Sequence, residues 1–298
     1  MDISQIPEFQ KENIHIKDPD KVEEIVTAFM KGGHRKFQVV SDFDRTITRH
    51  LLNGKEVPTT YDIVENSYVM SKESKEMCRD FFRHYYPKCM STTLPDEEKF
   101  VSMTEWWSKE HDMITKTGMR KEDISKIVEQ SDVVLREGCD MLFKNLADNS
   151  VPLVVCTAGI EDISSAVIKD RATLYDNISF MGNKMDFDAN GKIVGLSCKG
   201  TVINQYNKRE MTNIYRDYFE QHMDRPNVLL IGDSIGDLQL AEGLIQPEYV
   251  LKIGFLNSHV DQNLEVYKSK FDIVVVEDST MDVPNAVVNK IMLSSQEN

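Results

Sequence analysis

An apolar run that ends in two acids, Phe37-Gln-Val-Val-Ser-Asp-Phe-Asp44, restricts the fold of this 298-residue chain more than any other segment. Residues Phe37 to Phe43 read as a buried strand, and its carboxyl end carries the charge. Five more strand candidates follow at Val151–Cys156, Ile178–Met181, Asn227–Ile231, Tyr249–Ile253 and Phe271–Val276. Most are short, β-branched and separated by helical patterns, which predicts a parallel sheet covered by helices on both faces. An amphipathic helix over Asp20–Lys31 precedes them, with Val22, Ile25, Val26, Phe29 and Met30 at helical spacing.

Between the first two strands, about Thr59 to Lys144, there is helical periodicity without a strand signal. One helix is expected from Tyr61 towards Tyr86, stopping before Pro87. A second is expected to carry Met103 to Ile114 and to break near Gly118. The fold class is therefore α/β, a Rossmann-like parallel sheet core with an inserted helical cap domain. The core spans 1–55 and 145–298, and the cap spans 56–144. Asp186-Phe-Asp188-Ala-Asn-Gly191 reads as a hairpin turn. It opens like a calcium loop, but Ser197 stands where that pattern ends in glutamate.

A net charge of −14 argues against a nucleic-acid polymer or an anionic membrane surface as partner. An anionic substrate then needs a local cationic site. The five cysteines (Cys78, Cys89, Cys139, Cys156, Cys198) are scattered and form no C-x-x-C pair, as in a reducing, cytoplasmic protein. Met1 to Gln10 has no secretory pattern, and no apolar run approaches the roughly 20 residues needed to span a bilayer.

Four segments carry candidate chemistry. Asp42-Phe-Asp44-Arg-Thr46 lies at a strand's carboxyl end, where open α/β sheets bind ligands, and its carboxylates suit a hard cation such as Mg²⁺. Thr157-Ala158-Gly159 follows the strand ending at Cys156 and precedes a helix, so a hydroxyl and free N–H groups can hold phosphate oxygens. Lys208 follows Tyr206-Asn207 and opens a helical stretch; it can neutralise phosphate and a carboxylate. Ile231-Gly-Asp233-Ser-Ile-Gly-Asp237 returns two acids to the same sheet edge, with glycines that let the backbone turn tightly. Singly, these segments also read as a solvated turn, a strand-to-helix cap, a surface lysine and a metal-free loop. Their joint order is hard to obtain by accident.

That order resembles the haloacid dehalogenase-like hydrolase superfamily. The resemblance implies that Asp42 attacks phosphorus, that Asp44 protonates the leaving oxygen and then activates water, and that Mg²⁺ is held by Asp42, the carbonyl of Asp44, and Asp233. Asp237 is left to orient the surroundings or Lys208. Seven further segments, Tyr85-Tyr-Pro87, Glu105-Trp-Trp107, Leu135-Arg-Glu-Gly138, Met185-Asp-Phe187, Tyr206-Asn-Lys208, Gly232-Asp-Ser-Ile-Gly-Asp237 and Leu251-Lys-Ile-Gly-Phe-Leu-Asn257, are similar to the type III cytosolic 5′-nucleotidases. The similarity runs from about Val39 to the last helix. It implies a small-molecule nucleoside 5′-monophosphate as substrate, either a pyrimidine nucleotide or 7-methylguanosine monophosphate.

Tyr61 and Trp107 are the candidates to touch the base, since aromatic faces attract a methylated, positively charged purine. Adjacent helical residues point about 100° apart, so Trp106 is assigned to packing and Trp107 to the base. Where relatives carry a glutamate shortly after the Tyr-Tyr pair, this chain has Cys89, a weak acceptor. Lys199 is the second choice to Lys208 for phosphate, Cys156 and Cys198 read as packing thiols, and the histidines show no metal-ligand spacing. Two rival readings use the same acids: a phosphotransferase passing the phosphoryl group to a nucleoside or sugar, and a receiver-like signalling module. A leaving-group acid at Asp44 and a large insertion disfavour the second.

Overall fold

Phe37–Ser41 forms a strand whose five residues are all buried, and it occupies the middle of the main sheet. The computed structural model describes residues 2–89, 91, 93–277 and 280–296. In chain order the elements are β1 (Ile14–Ile16), α1 (Pro19–Gly32), β2 (Phe37–Ser41), β3 (Leu51–Leu52), β4 (Lys55–Glu56), α2 (Thr60–Asn66), α3 (Lys72–Cys89), α4 (Asp96–Lys116), α5 (Asp123–Glu129) and α6 (Cys139–Asp148). They continue with β5 (Leu153–Ile160), α7 (Glu161–Arg171), β6 (Ile178–Phe187), β7 (Ile193–Ser197), α8 (Arg209–Ile214), α9 (Arg216–Gln221), β8 (Asn227–Gly232), α10 (Leu238–Gly243), β9 (Tyr249–Leu256), α11 (Val260–Lys270), β10 (Ile273–Val276) and α12 (Asp282–Gln296).

The sheet order is β1-β10-β9-β8-β2-β5-β6-β7. The six strands from β10 to β6 run parallel, while β1 and β7 close the two edges antiparallel. From β2 the chain first builds outward through β5 and β6, then returns to build the other side through β8, β9 and β10. The order reverses at β2, so the carboxyl ends of β2, β5 and β8 meet at the switch point where such sheets bind ligands. An apolar core of buried side chains including Val26, Phe29, Phe37, Val39, Phe143, Leu229 and Val287 packs helices onto the sheet.

The expected sheet is present, with differences at its margins. Edge strand β1 is an addition to the expected strands, the expected hairpin turn after Asp186 joins β6 to the antiparallel β7, and β6 is longer than Ile178–Met181 because β7 pairs with its second half. The Asp188 carboxylate closes the intervening turn by accepting from the backbone N–H groups of Asn190 and Lys192, both at 2.9 Å. The single helix expected from Tyr61 to Tyr86 is two. Ser67 turns its hydroxyl back to the Val64 carbonyl (2.6 Å), and the Ser71 hydroxyl accepts from the Ser74 N–H (3.1 Å), so each serine diverts a hydrogen bond from a continuous helix. Pro87 lies inside the last turn of α3 instead of stopping it. Helix α4 ends just before Gly118, which takes φ of +69°. The last helix of the insertion, α6, runs beyond residue 144 and packs on α12.

One buried cation fixes the loop behind β2. Arg136 is 2% exposed, and its guanidinium donates to the carbonyls of Thr46 and Arg45 and to Asn257 Oδ1, each at 2.7 Å. The guanidinium carbon stands 3.9 Å from the Phe255 ring centre. Replacing it would leave buried carbonyls unpaired. Arg136→Met is expected to lower the unfolding free energy by about 3 kcal/mol, read from the denaturation midpoint in urea. An unchanged midpoint would show that the loop holds itself.

Candidate active site

Two strand ends and one helix start bring the acids and the lysine together. Lys208, the residue preceding α8, is 3% exposed and donates to Asp42 Oδ1 and to Asp237 Oδ1, both at 2.5 Å. Asp42 follows β2 directly and stays aligned because its N–H donates to the Ile231 carbonyl of β8 at 2.9 Å. Its other oxygen accepts from the Thr46 hydroxyl at 3.2 Å. Asp237 Oδ2 is held by the Asp233 N–H, the Ser234 N–H and the Ser234 hydroxyl at 3.0, 2.8 and 3.0 Å. Asp237 is thus committed to the loop and to Lys208.

Asp233 differs: among the described residues its carboxylate has a single long contact, 3.4 Å from Asn257 Nδ2. One oxygen each from Asp42, Asp233 and Asp237 lies within 4.8 Å of the others. Burial pushes Asp233 well above the usual carboxylate range, and the charges of Asp237 and Asp42 push it further. Burial likewise raises Asp42, to about 6, against the pull of Lys208. Burial alone would depress Lys208, but the two carboxylates outweigh it and keep the ammonium charged. Crowded carboxylates with one ammonium between them fit a hard dication, since Mg²⁺ takes oxygen ligands at about 2.1 Å. Asp233 has the free lone pairs to contribute.

Asp44 lies close enough to Asp42 to feel its charge. Its two oxygens accept from Thr60, Oδ1 from the backbone N–H at 2.9 Å and Oδ2 from the hydroxyl at 2.8 Å. Burial and then the charge of Asp42 raise it to about 7, with the Thr60 bonds opposing. Thr157, Ala158 and Gly159 do not form a strand-to-helix turn. They belong to β5, which runs to Ile160, while α7 starts at Glu161 without a side-chain cap. The long β6 supplies the reason: it gives β5 a partner past Cys156, with a shift of register between Cys156 and Ile160. One of the N–H groups expected to be free is taken inside the fold, since Gly159 donates to the Thr157 hydroxyl at 2.8 Å, and the next N–H, of Ile160, donates to the Thr60 hydroxyl at 3.1 Å. Gly159 has no alternative here, because a Cβ would fall 2.1 Å from Thr60 Oγ1 and 2.6 Å from Asp44 Oδ2.

In the insertion, Tyr61 and Trp107 come together with ring centres 4.7 Å apart and planes tilted by 31°. They touch, so a base cannot lie between them, and Tyr61 is also stacked on His111 with ring centres 5.9 Å apart. Tyr61 is 6% exposed, and its hydroxyl is hydrogen-bonded to His111 Nε2 at 2.6 Å and to Asn183 Nδ2 at 3.3 Å. Trp107 is half-buried, and its indole nitrogen has no hydrogen-bond partner among the described residues. Trp106 is buried with Tyr85, Cys89 and Met103, as assigned, and its indole N–H donates to Glu110. Cys89 is therefore a packing residue, its thiol pushed up by burial. Lys199 lies away from the acids: it is exposed, donates to the Ile214 carbonyl at 3.2 Å and covers the Tyr215 ring at 4.3 Å.

Thr60, Asn183, Glu110 and His111 were not singled out in the sequence. Asn183 is fully buried and also donates to the carbonyls of Ala158 and Ile203 at 2.8 and 2.9 Å, which joins β5, β6 and the Tyr61 hydroxyl. The Glu110 carboxyl is raised by burial and by neighbouring Glu65, and burial lowers His111 to about 4, leaving a neutral imidazole. Only Thr60 had a legible signal, since Thr59-Thr-Tyr-Asp62 is a capping box that marks the start of α2.

A family model described as pyrimidine 5′-nucleotidase (UMPH-1) matches residues 45–292. The 7-methylguanosine phosphate-specific 5′-nucleotidase of Gallus gallus is 38% identical over 291 residues, which cover 97% of this chain and 100% of that one. Among solved structures, cytosolic 5′-nucleotidase IIIB bound to cytidine superposes with a TM-score of 0.89 at 28% identity, covering 100% of both chains. A HAD family hydrolase from Salmonella enterica subsp. enterica serovar Typhi shares the fold at a TM-score of 0.55 and 11% identity, over 87% of this chain and 73% of that one. With 248 consecutive positions matched by the family model and near full-length identity to its relatives, the chain belongs to the UMPH-1 pyrimidine 5′-nucleotidase family, on a HAD-like fold.

Proposed function

We propose that this protein is a Mg²⁺-dependent, cytoplasmic 5′-nucleotidase that hydrolyses 7-methylguanosine monophosphate, and also CMP and UMP, through an aspartyl-phosphate on Asp42. The observation that carries the reading is the Lys208 ammonium, 2.5 Å from both Asp42 and Asp237, with Asp233 in the same cluster. Asp42, the Asp44 carbonyl and Asp233 would hold the ion, whose charge offsets the repulsion between phosphate and carboxylate. Residues 56–144 serve as a cap domain over a core of 1–55 and 145–298. That all five cysteines are buried free thiols suits a reducing compartment, and among the described residues no helix is long and apolar enough to cross a membrane.

In this reading Asp42 attacks phosphorus and Lys208 screens the approach of one anion to another. Thr157 accepts from the Gly159 N–H, so its own proton is available to a phosphate oxygen, alongside the backbone N–H of Ala158. Asp44, raised to about 7, carries a proton to the leaving O5′ and then takes one from the water that hydrolyses the acyl phosphate. Trp107, with Tyr61 packed behind it, offers an outer face to the base. The names of relatives favour 7-methylguanosine monophosphate, and the cytidine-bound structure favours cytidine as a second base.

Phosphate release from 7-methylguanosine, cytidine, uridine and guanosine monophosphates separates the outcomes. Release is expected with Mg²⁺ and should vanish with chelator, fastest for the methylated purine. Transfer of phosphate to added nucleoside in place of free phosphate would make the protein a phosphotransferase. Asp42→Asn is expected to abolish turnover with an unchanged far-ultraviolet circular dichroism spectrum; retained turnover would remove Asp42 as nucleophile. Trp107→Ala is expected to raise KM for 7-methylguanosine monophosphate about 3- to 30-fold, the loss of one cation–aromatic contact, and to leave KM for ribose 5-phosphate nearly unchanged. Equal losses on both substrates would take Trp107 out of the base site.

A further inference from the structure

We infer that Thr60 is the positioning residue that aims the Asp44 carboxyl at the leaving oxygen, so that the first turn of the insertion's first helix takes part in proton transfer. The inference rests on the assignment of Asp44 as the leaving-group acid. Among the described residues, every hydrogen bond to the Asp44 side chain comes from Thr60, which grips both oxygens with its N–H (2.9 Å) and its hydroxyl (2.8 Å). A carboxyl held at both oxygens cannot swing about its χ2 torsion. The hydroxyl's own orientation is fixed in turn. It accepts from the Ile160 N–H at 3.1 Å, so its proton is committed to Asp44 Oδ2.

Thr60 is fully buried and sits where three pieces of backbone meet: the loop after β2, the end of β5 and the start of α2. The neighbouring capping box fixes that start, with the Thr59 N–H donating to Asp62 at 2.8 Å and the Asp62 N–H donating to the Thr59 hydroxyl at 3.3 Å. This leaves the Thr60 N–H directed at Asp44. The space beside the clamp is kept open by Gly159, where any side chain would strike both partners. A threonine serving only to fill space would need neither donor aimed at a carboxylate.

The role predicts a dependence on the leaving group. A 5′-alkoxide needs a proton as it departs, whereas a nitrophenolate leaves as the anion, and kcat/KM reports only steps up to that departure. The full-length chain with Mg²⁺ is compared with Thr60→Val and Thr60→Ser on a nucleoside 5′-monophosphate, ribose 5-phosphate and p-nitrophenyl phosphate. For Thr60→Val, kcat/KM on the two alkyl phosphates is expected to fall about 30-fold or more and on the aryl phosphate by less than about 3-fold; Thr60→Ser should restore the alkyl rates. The aryl rate also reports folding, and Thr60→Ala replaces the valine variant if that one is insoluble. Equal losses on alkyl and aryl phosphates, an unaffected alkyl rate, or a serine variant as poor as valine would overturn the inference. If the unaltered protein cleaves ribose 5-phosphate but no nucleotide, the nucleotidase reading fails, and the alkyl-to-aryl ratio still decides the role of Thr60.

Discussion

The ammonium of Lys208, buried between Asp42 and Asp237, is the interaction on which the site depends. Removing two carboxylates and an amine from water costs several kcal/mol per ion, and only short, well-aligned contacts offset this. The geometry meets that demand. Asp237 accepts four hydrogen bonds, one from Lys208 and three from its own loop, so the lysine binds a carboxylate that cannot move. Lys208 thereby ties the start of α8 to the loop after β8 and to the end of β2. Without it, Asp42 and Asp237 would face each other as buried, uncompensated anions, and the loops that carry them would separate.

The sheet order explains why such distant residues can converge. Because the topology reverses at β2, the ends of β5 and β8 flank it directly, and Asp42 after β2 meets Asp233 and Asp237 after β8 at one sheet edge. The insertion then contributes from above. Thr60 reaches Asp44, and Tyr61 in the next position reaches Asn183, which holds β5 and β6. Consecutive residues of one short helix therefore contact both the acid pair and the strand ends, so α2 is fixed against the core at two points.

The sequence made the sheet and the acids legible because both depend on local signals. Short apolar runs between helical patterns locate β2, β5, β6, β8 and β9, and acids or a lysine at their ends mark the site. What escaped was set by tertiary pairing. The strand character of Thr157 to Gly159 depends on β6 extending far enough to pair with it, and the split between α2 and α3 depends on two serine hydroxyls competing with the backbone. Pro87 was read as a stop, yet its missing N–H costs one bond near the helix end, and α3 continues to Cys89. Thr60 could be seen as part of a helix start but not as the partner of Asp44, which lies 16 positions earlier. The contact between Tyr61 and Trp107 likewise follows from how α2 packs against α4, which periodicity does not specify.

Charge sets the last constraint. The chain carries a net charge of −14, so its overall field repels a phosphate monoester instead of drawing it in. At the crevice, three clustered carboxylates face one ammonium, and burial already drives Asp42 and Asp233 towards protonation. A protonated Asp42 cannot act as a nucleophile, and an ionised one beside a dianionic phosphate is more strongly opposed still. Lys208 is divided between two carboxylates and cannot neutralise the third together with the substrate. In the proposed reaction a divalent ion on the Asp233 side, where the carboxylate has a single long contact among the described residues, would supply the missing charge, and metal binding would then be coupled to ionisation of Asp42.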